Sequence, residues 1–192
     1  IILCNVPVVT PGGQMLIKPL TLAIQPGMNV LVTGPNGSGK SSLFRLLGGL
    51  WPLTAGTMKV PEPGKLFYIP QRPYLFSGTL SDQITYPTLN PGLNSSNDLE
   101  MLHLLETVQL SYILDRCPEG LATCKDWNDV LSGGEKQRIA IARLFWHRPQ
   151  WAILDEGTSA VTLDIETMVY HKLQEWGVTV ISVSHRQSLH QF

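Results

Sequence analysis

Met28-Asn29-Val30-Leu31-Val32-Thr33, followed by Gly34-Pro35-Asn36-Gly37-Ser38-Gly39-Lys40-Ser41, is the stretch that decides the fold. The first six residues read as a short buried strand, and Lys40 to Leu47 as a helix closed by Gly48-Gly49 and Pro52. The turn between them has the form GxxxxGK(S/T). In a strand-turn-helix setting its glycines let backbone N–H groups curl around phosphate oxygens, and the helix N-terminus adds a positive dipole end. Lys40 is then placed to reach β and γ phosphates, and Ser41 to ligate Mg²⁺. Gly34, Pro35, Asn36, Gly37, Ser38, Gly39, Lys40, Ser41 and Ser42 are therefore expected to form a nucleoside triphosphate cradle.

Leu66–Ile69, Trp151–Leu154 and Val178–Val183 are further short apolar runs of the kind that fill a mostly parallel sheet. The run from Trp151 ends on two adjacent acids, Asp155 and Glu156. A protein that only binds nucleotide needs the first, which holds the Mg²⁺ shell. A second acid facing the γ-phosphate can serve as general base, an effect of ~10²–10⁴-fold. The pair therefore implies hydrolysis.

From Asn97 to Leu114 the leucines Leu99, Leu102 and Leu105 recur at helical spacing, which places a helical insert there. Pro87 to Asn97 reads as a loop, Gly133 to Arg148 as a helix with Ile139, Ala142 and Phe145 on one stripe, and Asp164 to Trp176 as another helix. Ser132 and Glu135 form an S-x-x-E capping box before the second of these. Capping does not require Gly133-Gly134, which cost ~1 kcal/mol each in a first helical turn unless something approaches the backbone closely.

Leu131-Ser132-Gly133-Gly134-Glu135, lying between the glycine turn and the acid pair, resembles the signature motif of the ABC ATPase family, and the resemblance covers essentially the whole chain. It implies an α/β fold of the P-loop NTPase (RecA-like) type, with a mostly parallel sheet, an antiparallel β edge and an inserted α-helical subdomain. The core subdomain is expected at about 1–70 and 149–192, and the helical one at about 71–148. By similarity Gln71 is the glutamine that senses Mg²⁺ and the attacking water, His185 is the histidine that contacts the γ-phosphate, and Ser159 and Asp164 belong to the D-loop. The resemblance also implies ATP and Mg²⁺ as cofactors. It pairs the domain head-to-tail with a second ABC ATPase domain, alike or different, so that Ser132 and Gly134 act on the partner's nucleotide.

Within the family, Gly34–Gly37, Leu47–Pro52, Phe67–Tyr74 and Asp126–Leu131 are similar to subfamily D, which includes the adrenoleukodystrophy protein and other peroxisomal half-transporters. That resemblance implies a membrane domain ahead of the ATPase and import of fatty acyl-CoA esters. A lysosomal branch handles cobalamin, and bacterial relatives exist, so the membrane served stays open. Arg72–Phe76 forms an apolar-aromatic cluster suited to docking a helix of the membrane domain. Two departures stand out. No aromatic precedes Phe44, so Val8, Val9 or Thr10 occupies the place of the usual adenine-stacking ring, and Gly157 follows the acids where Ala or Cys is usual.

Composition sets outer bounds. The chain's 192 residues fit one domain, and 14 Lys+Arg against 15 Asp+Glu give a net charge of −1, with no basic field for nucleic acid. The 15% charged fraction is low against a usual ~25%, consistent with surface covered by partners. A non-transport ABC ATPase working mechanically on DNA or ribosomes is the alternative. It would carry a long coiled coil between Lys40 and Leu131 or basic linkers, and the sequence has neither. Cys4, Cys117 and Cys124 lack CxxC pairing, so neither disulfide nor metal cluster is expected. No run reaches the ~20 apolar residues of a membrane span. The opening Ile1-Ile2-Leu3, without Met, suggests a segment of a longer protein. His103, His147, His171 and His190 read as helix-surface residues.

Overall fold

The structure, a computed structural model, describes residues 1–88, 95–184 and 186–192. The strands in chain order are β1 (Ile2–Val9), β2 (Met15–Ala23), β3 (Val30–Val32), β4 (Thr57–Lys59), β5 (Leu66–Ile69), β6 (Ser77–Thr79), β7 (Cys124–Asp126), β8 (Trp151–Asp155) and β9 (Thr179–Val183). The α-helices are α1 (Lys40–Leu47), α2 (Leu80–Thr85), α3 (Ser95–Thr107), α4 (Trp127–Val130), α5 (Gly133–His147) and α6 (Leu163–Glu175). The chain divides into two compact units, one of Ile1–Tyr68, Pro149–Glu156 and Leu173–Phe192, the other of Ile69–Arg148 and Gly157–Lys172. Gly157–Lys172 thus groups with the helical unit, whereas the sequence alone placed it with the core.

The first unit holds two sheets. β1 pairs antiparallel with β2 and β4, and β3, β9, β8 and β5 follow one another in the second sheet, with β3–β9 and β8–β9 parallel. All five positions of β8 and of β9 are buried, as strands covered on both faces must be, and their apolar, β-branched sequences suit that place. α1 supplies Leu43, Phe44, Leu46 and Leu47 to a core that also contains Val6, Val8, Trp151, Ile153, Ile181 and Val183. Val32 and Asp155 both lie level with Val183, so β3 and β8 end at the same edge of the sheet. This is the mostly parallel α/β architecture with an antiparallel β sheet that the family resemblance implied.

In the second unit β6 pairs antiparallel with β7, and α2 starts on a reciprocal capping box between Thr79 and Asp82. Trp127 is fully buried and donates its indole N–H to the Gly78 carbonyl at 2.8 Å. α5 buries Ile139, Ala140, Ile141, Ala142, Leu144 and Phe145, which is more than one stripe. Among them sits Arg143, only 4% exposed, donating to the Gln83 carbonyl and, at 2.6 Å, to the Tyr74 carbonyl. Its guanidinium also lies over the Tyr86 ring, 5.2 Å from the centroid. Burial pulls its pKa down to about 10, which leaves it charged.

The helix that the leucine spacing placed here is present as α3; its buried stripe is Met101, Leu104, Leu105 and Val108, while Leu99 and Leu102 are exposed. Two expectations are corrected. His147 is half-buried rather than a surface residue, its Nε2 2.8 Å from the Tyr86 carbonyl. Of the expected Pro87–Asn97 loop, residues 89–94 lie outside the described residues, and the chain is already helical from Ser95. No helix among the described residues is long and apolar enough to cross a membrane.

Candidate nucleotide site

In the first unit the chain leaves β3 at Val32 and curls through residues 34–39 into α1. Gly37 and Gly39 have φ of 79° and 93°, in the left-handed region that glycine enters without steric cost. At Gly39 a Cβ would also meet Ile17 and Leu16 side chains at 3.1–3.3 Å, so the turn is packed tightly on its inner side. Lys40 is buried and its ammonium donates to the Gly34 and Pro35 carbonyls at 2.8 and 2.9 Å, which draws the turn into a loop. Gly39 caps α1 without any side-chain hydrogen bond, so the leading N–H groups of the helix keep their capacity for an anion.

Asp155 stands at the end of β8. Its Oδ1 accepts from the Ser41 hydroxyl at 2.9 Å and its Oδ2 from the Tyr68 hydroxyl at 3.2 Å. Burial pushes the Asp155 carboxyl upward, while the hydrogen bonds from Ser41 and Tyr68 pull the other way. Tyr68 itself is raised above the ordinary phenol range, by burial first and then by the Asp155 charge. Sequence reasoning missed Tyr68; a hydroxyl on a buried strand two residues before the Pro70-Gln71 turn was the available signal. The donor set of Ser41 and Asp155, both hard oxygens beside an uncapped helix end, fits a divalent cation held against a phosphate chain.

Glu156 follows with φ of 52°, its N–H donating to the Val183 carbonyl at 3.1 Å. A non-glycine residue in this region carries strain of order 1 kcal/mol, which is commonest where function demands it. Val8 is fully buried in the core and is unavailable to a base, whereas Val9 and Thr10 are half-buried. His185 lies outside the described residues.

The other motif residues belong to the second unit. Gln71 is exposed. Ser132 and Glu135 cap α5 reciprocally: the Ser132 N–H donates to Glu135 Oε2 at 2.8 Å, and the Glu135 N–H to Ser132 Oγ at 3.4 Å. Glu135 is 7% exposed and also accepts from Arg116 at 2.6 Å and from the Tyr112 hydroxyl at 3.0 Å. Burial alone would raise its carboxyl, but Ser132, Arg116 and Tyr112 together hold it at about 2. Its side chain is thus engaged by its own chain. A Cβ on Gly134 would lie 2.9 Å from the Ala160 carbonyl, whereas one on Gly133 would meet nothing. The close approach that Gly134 permits is therefore that of Ala160. Leu131 is buried, and Ser159 and Asp164 are exposed.

A glycine cradle at the edge of a parallel sheet, with an acid pair at the end of the next strand but one, defines the P-loop NTPase class. The chain belongs to the ABC transporter family, whose model matches residues 17–159. It is 53% identical over 187 residues to human ATP-binding cassette sub-family D member 3, covering 96% of this chain and 28% of that protein. It is 50% identical over 196 residues to Arabidopsis thaliana ABC transporter D family member 1, covering 98% of this chain and 14% of the relative. To the human lysosomal cobalamin transporter ABCD4 the identity is 45% over 188 residues, covering 94% and 31%. A bacterial Atm1-family ABC exporter solved with ATP bound superposes with a TM-score of 0.82 at 27% identity, over 98% of this chain and 34% of that one. The chain thus spans about a third or less of these relatives. It resembles subfamily D.

Proposed function

We propose that this chain binds Mg·ATP on residues 34–42 and hydrolyses it in a head-to-tail pair, driving a membrane-spanning domain of the same polypeptide. The observation that carries the reading is the 2.9 Å contact of Ser41 with Asp155, which joins the cradle to the first acid. Ser41 and Asp155 would hold Mg²⁺, which supplies charge neutralisation to the phosphate oxygens, and the family resemblance alone adds Gln71 to that set. Lys40 exchanges its carbonyl partners for the β and γ phosphates. Glu156 takes the proton of the water that attacks the γ-phosphorus, giving ADP and phosphate, and His185 contacts the γ-phosphate. Leu131–Glu135 of a second copy closes over the nucleotide, with Ser132 and Gly134 nearest to it, and Ser159 and Asp164 line the same junction.

Arg72–Phe76 is proposed as the surface that meets the membrane domain. Tyr74 is exposed there and Phe76 half-buried, and with Tyr86 they form a ring cluster with centroids 5.5–5.8 Å apart, while Leu75 turns inward. By likeness to subfamily D the cargo is fatty acyl-CoA or a related lipid, with the ATPase on the cytosolic face of a peroxisomal membrane. The test is Glu156→Gln. It should keep Mg·ATP binding and nucleotide-dependent pairing while hydrolysis falls about 10²-fold or more; unchanged turnover removes Glu156 from the role of base.

A further inference from the structure

Gln137 lies on α5 one turn beyond Gly133-Gly134 and is 3% exposed. Both ends of its amide are used on one other segment: Nε2 donates to Ser159 Oγ at 3.0 Å, and Oε1 accepts from the Ala160 N–H at 2.7 Å. The Ala160 carbonyl is the group that sits where a Gly134 Cβ would be. Ser159 and Ala160 are themselves exposed, so a buried amide holds an exposed loop from beneath. The loop has a separate anchor, because the buried Thr158 hydroxyl donates to Glu166 of α6 at 2.6 Å. Thr158–Glu166 fixes the loop on the helix that follows it. What Gln137 adds is register between that loop and the first turns of α5.

We propose that Gln137 is a positioning residue that locks loop 158–161 to the N-terminus of α5, so that the segment after the acid pair and the Ser132–Gly134 turn shift as one piece when nucleotide is engaged. This rests on the reading that the turn closes over a partner's nucleotide. The chemistry of the lock is specific. Gln137→Leu fills the same space and makes neither bond. Gln137→Glu can accept from the Ala160 N–H and from the Ser159 hydroxyl turned as donor.

The experiment uses the full-length protein in lipid nanodiscs. It measures kcat and KM for ATP hydrolysis, Kd for Mg·ATP, and amide exchange in peptides covering 131–136 and 158–162. Gln137→Leu should lower kcat about 10- to 100-fold, the effect of a small misplacement of a positioning element, while Kd stays within about twofold. Exchange should rise in both peptides together, and Gln137→Glu should restore most of both readouts. Unchanged kcat, exchange rising in only one peptide, or kcat and Kd failing in step would each overturn the proposal. If the wild-type protein bound no nucleotide, the functional reading would fall, and the exchange pattern alone would decide the lock: a joint rise supports it and a rise in one peptide refutes it.

Discussion

Replacing Glu135 with glutamine probes how the first turn of α5 is held. The carboxyl titrates at about 2 in the folded chain against an ordinary 4.5, because hydrogen bonds to it from Ser132, Arg116 and Tyr112 outweigh its burial. At 1.36 kcal/mol per pH unit that difference is on the order of 3 kcal/mol of stability at neutral pH. The sign follows from the depression. The contribution is complete above the unfolded value and drains away as pH falls from about 4.5 toward 2, roughly half remaining near pH 3. Glutamine keeps the shape and the cap but not the charge, and Arg116, whose side chain is 43% exposed, regains water when the ion pair is lost. Urea unfolding of the wild-type chain and Glu135→Gln at pH 7, 5, 4 and 3 should show a gap of about 2–3 kcal/mol at pH 7 that narrows only below about 4.5. A gap under about 0.5 kcal/mol, or one that does not change with pH, would refute the account.

Gly134→Ala should destabilise the chain by about 1–3 kcal/mol, because its Cβ would lie 2.9 Å from a backbone oxygen that must move; Gly133→Ala, facing open space, is the control in the same unfolding assay. Phe44→Ala, in the core shared by α1 and the two sheets, should cost about 3–5 kcal/mol by thermal or denaturant unfolding and loosen the base of the cradle.

Where sequence and local physics agreed, the elements were legible. α1 runs from Lys40 to Leu47 as its apolar pattern and its terminal glycines require, and the Ser132–Glu135 capping box is present in both directions. The acid pair was readable because a strand rich in apolar residues ends abruptly in two charges. The sequence concealed what depends on distant partners. α3 turns its buried stripe to Met101 and Leu104 because those positions meet the rest of the unit, and counting leucines cannot show that. β6 and β7 are three residues each, too short for any periodicity. Tyr68 joins the site only through register between strands, and Gly133-Gly134 look alike on paper although only one of them is crowded.

Arg143 has a consequence for how this domain tolerates its surroundings. Its charge is met by two peptide carbonyls and an aromatic face instead of a carboxylate, and it stays protonated far above neutral pH. Salt therefore has little to screen at that end of α5, whereas the Arg116–Glu135 pair at the other end, open to water on its arginine side, weakens as ionic strength rises. A single helix thus carries one fastening indifferent to the electrolyte and one tuned by it, and a rise in potassium or magnesium salts loosens the glycine-bearing tip before it reaches the aromatic base.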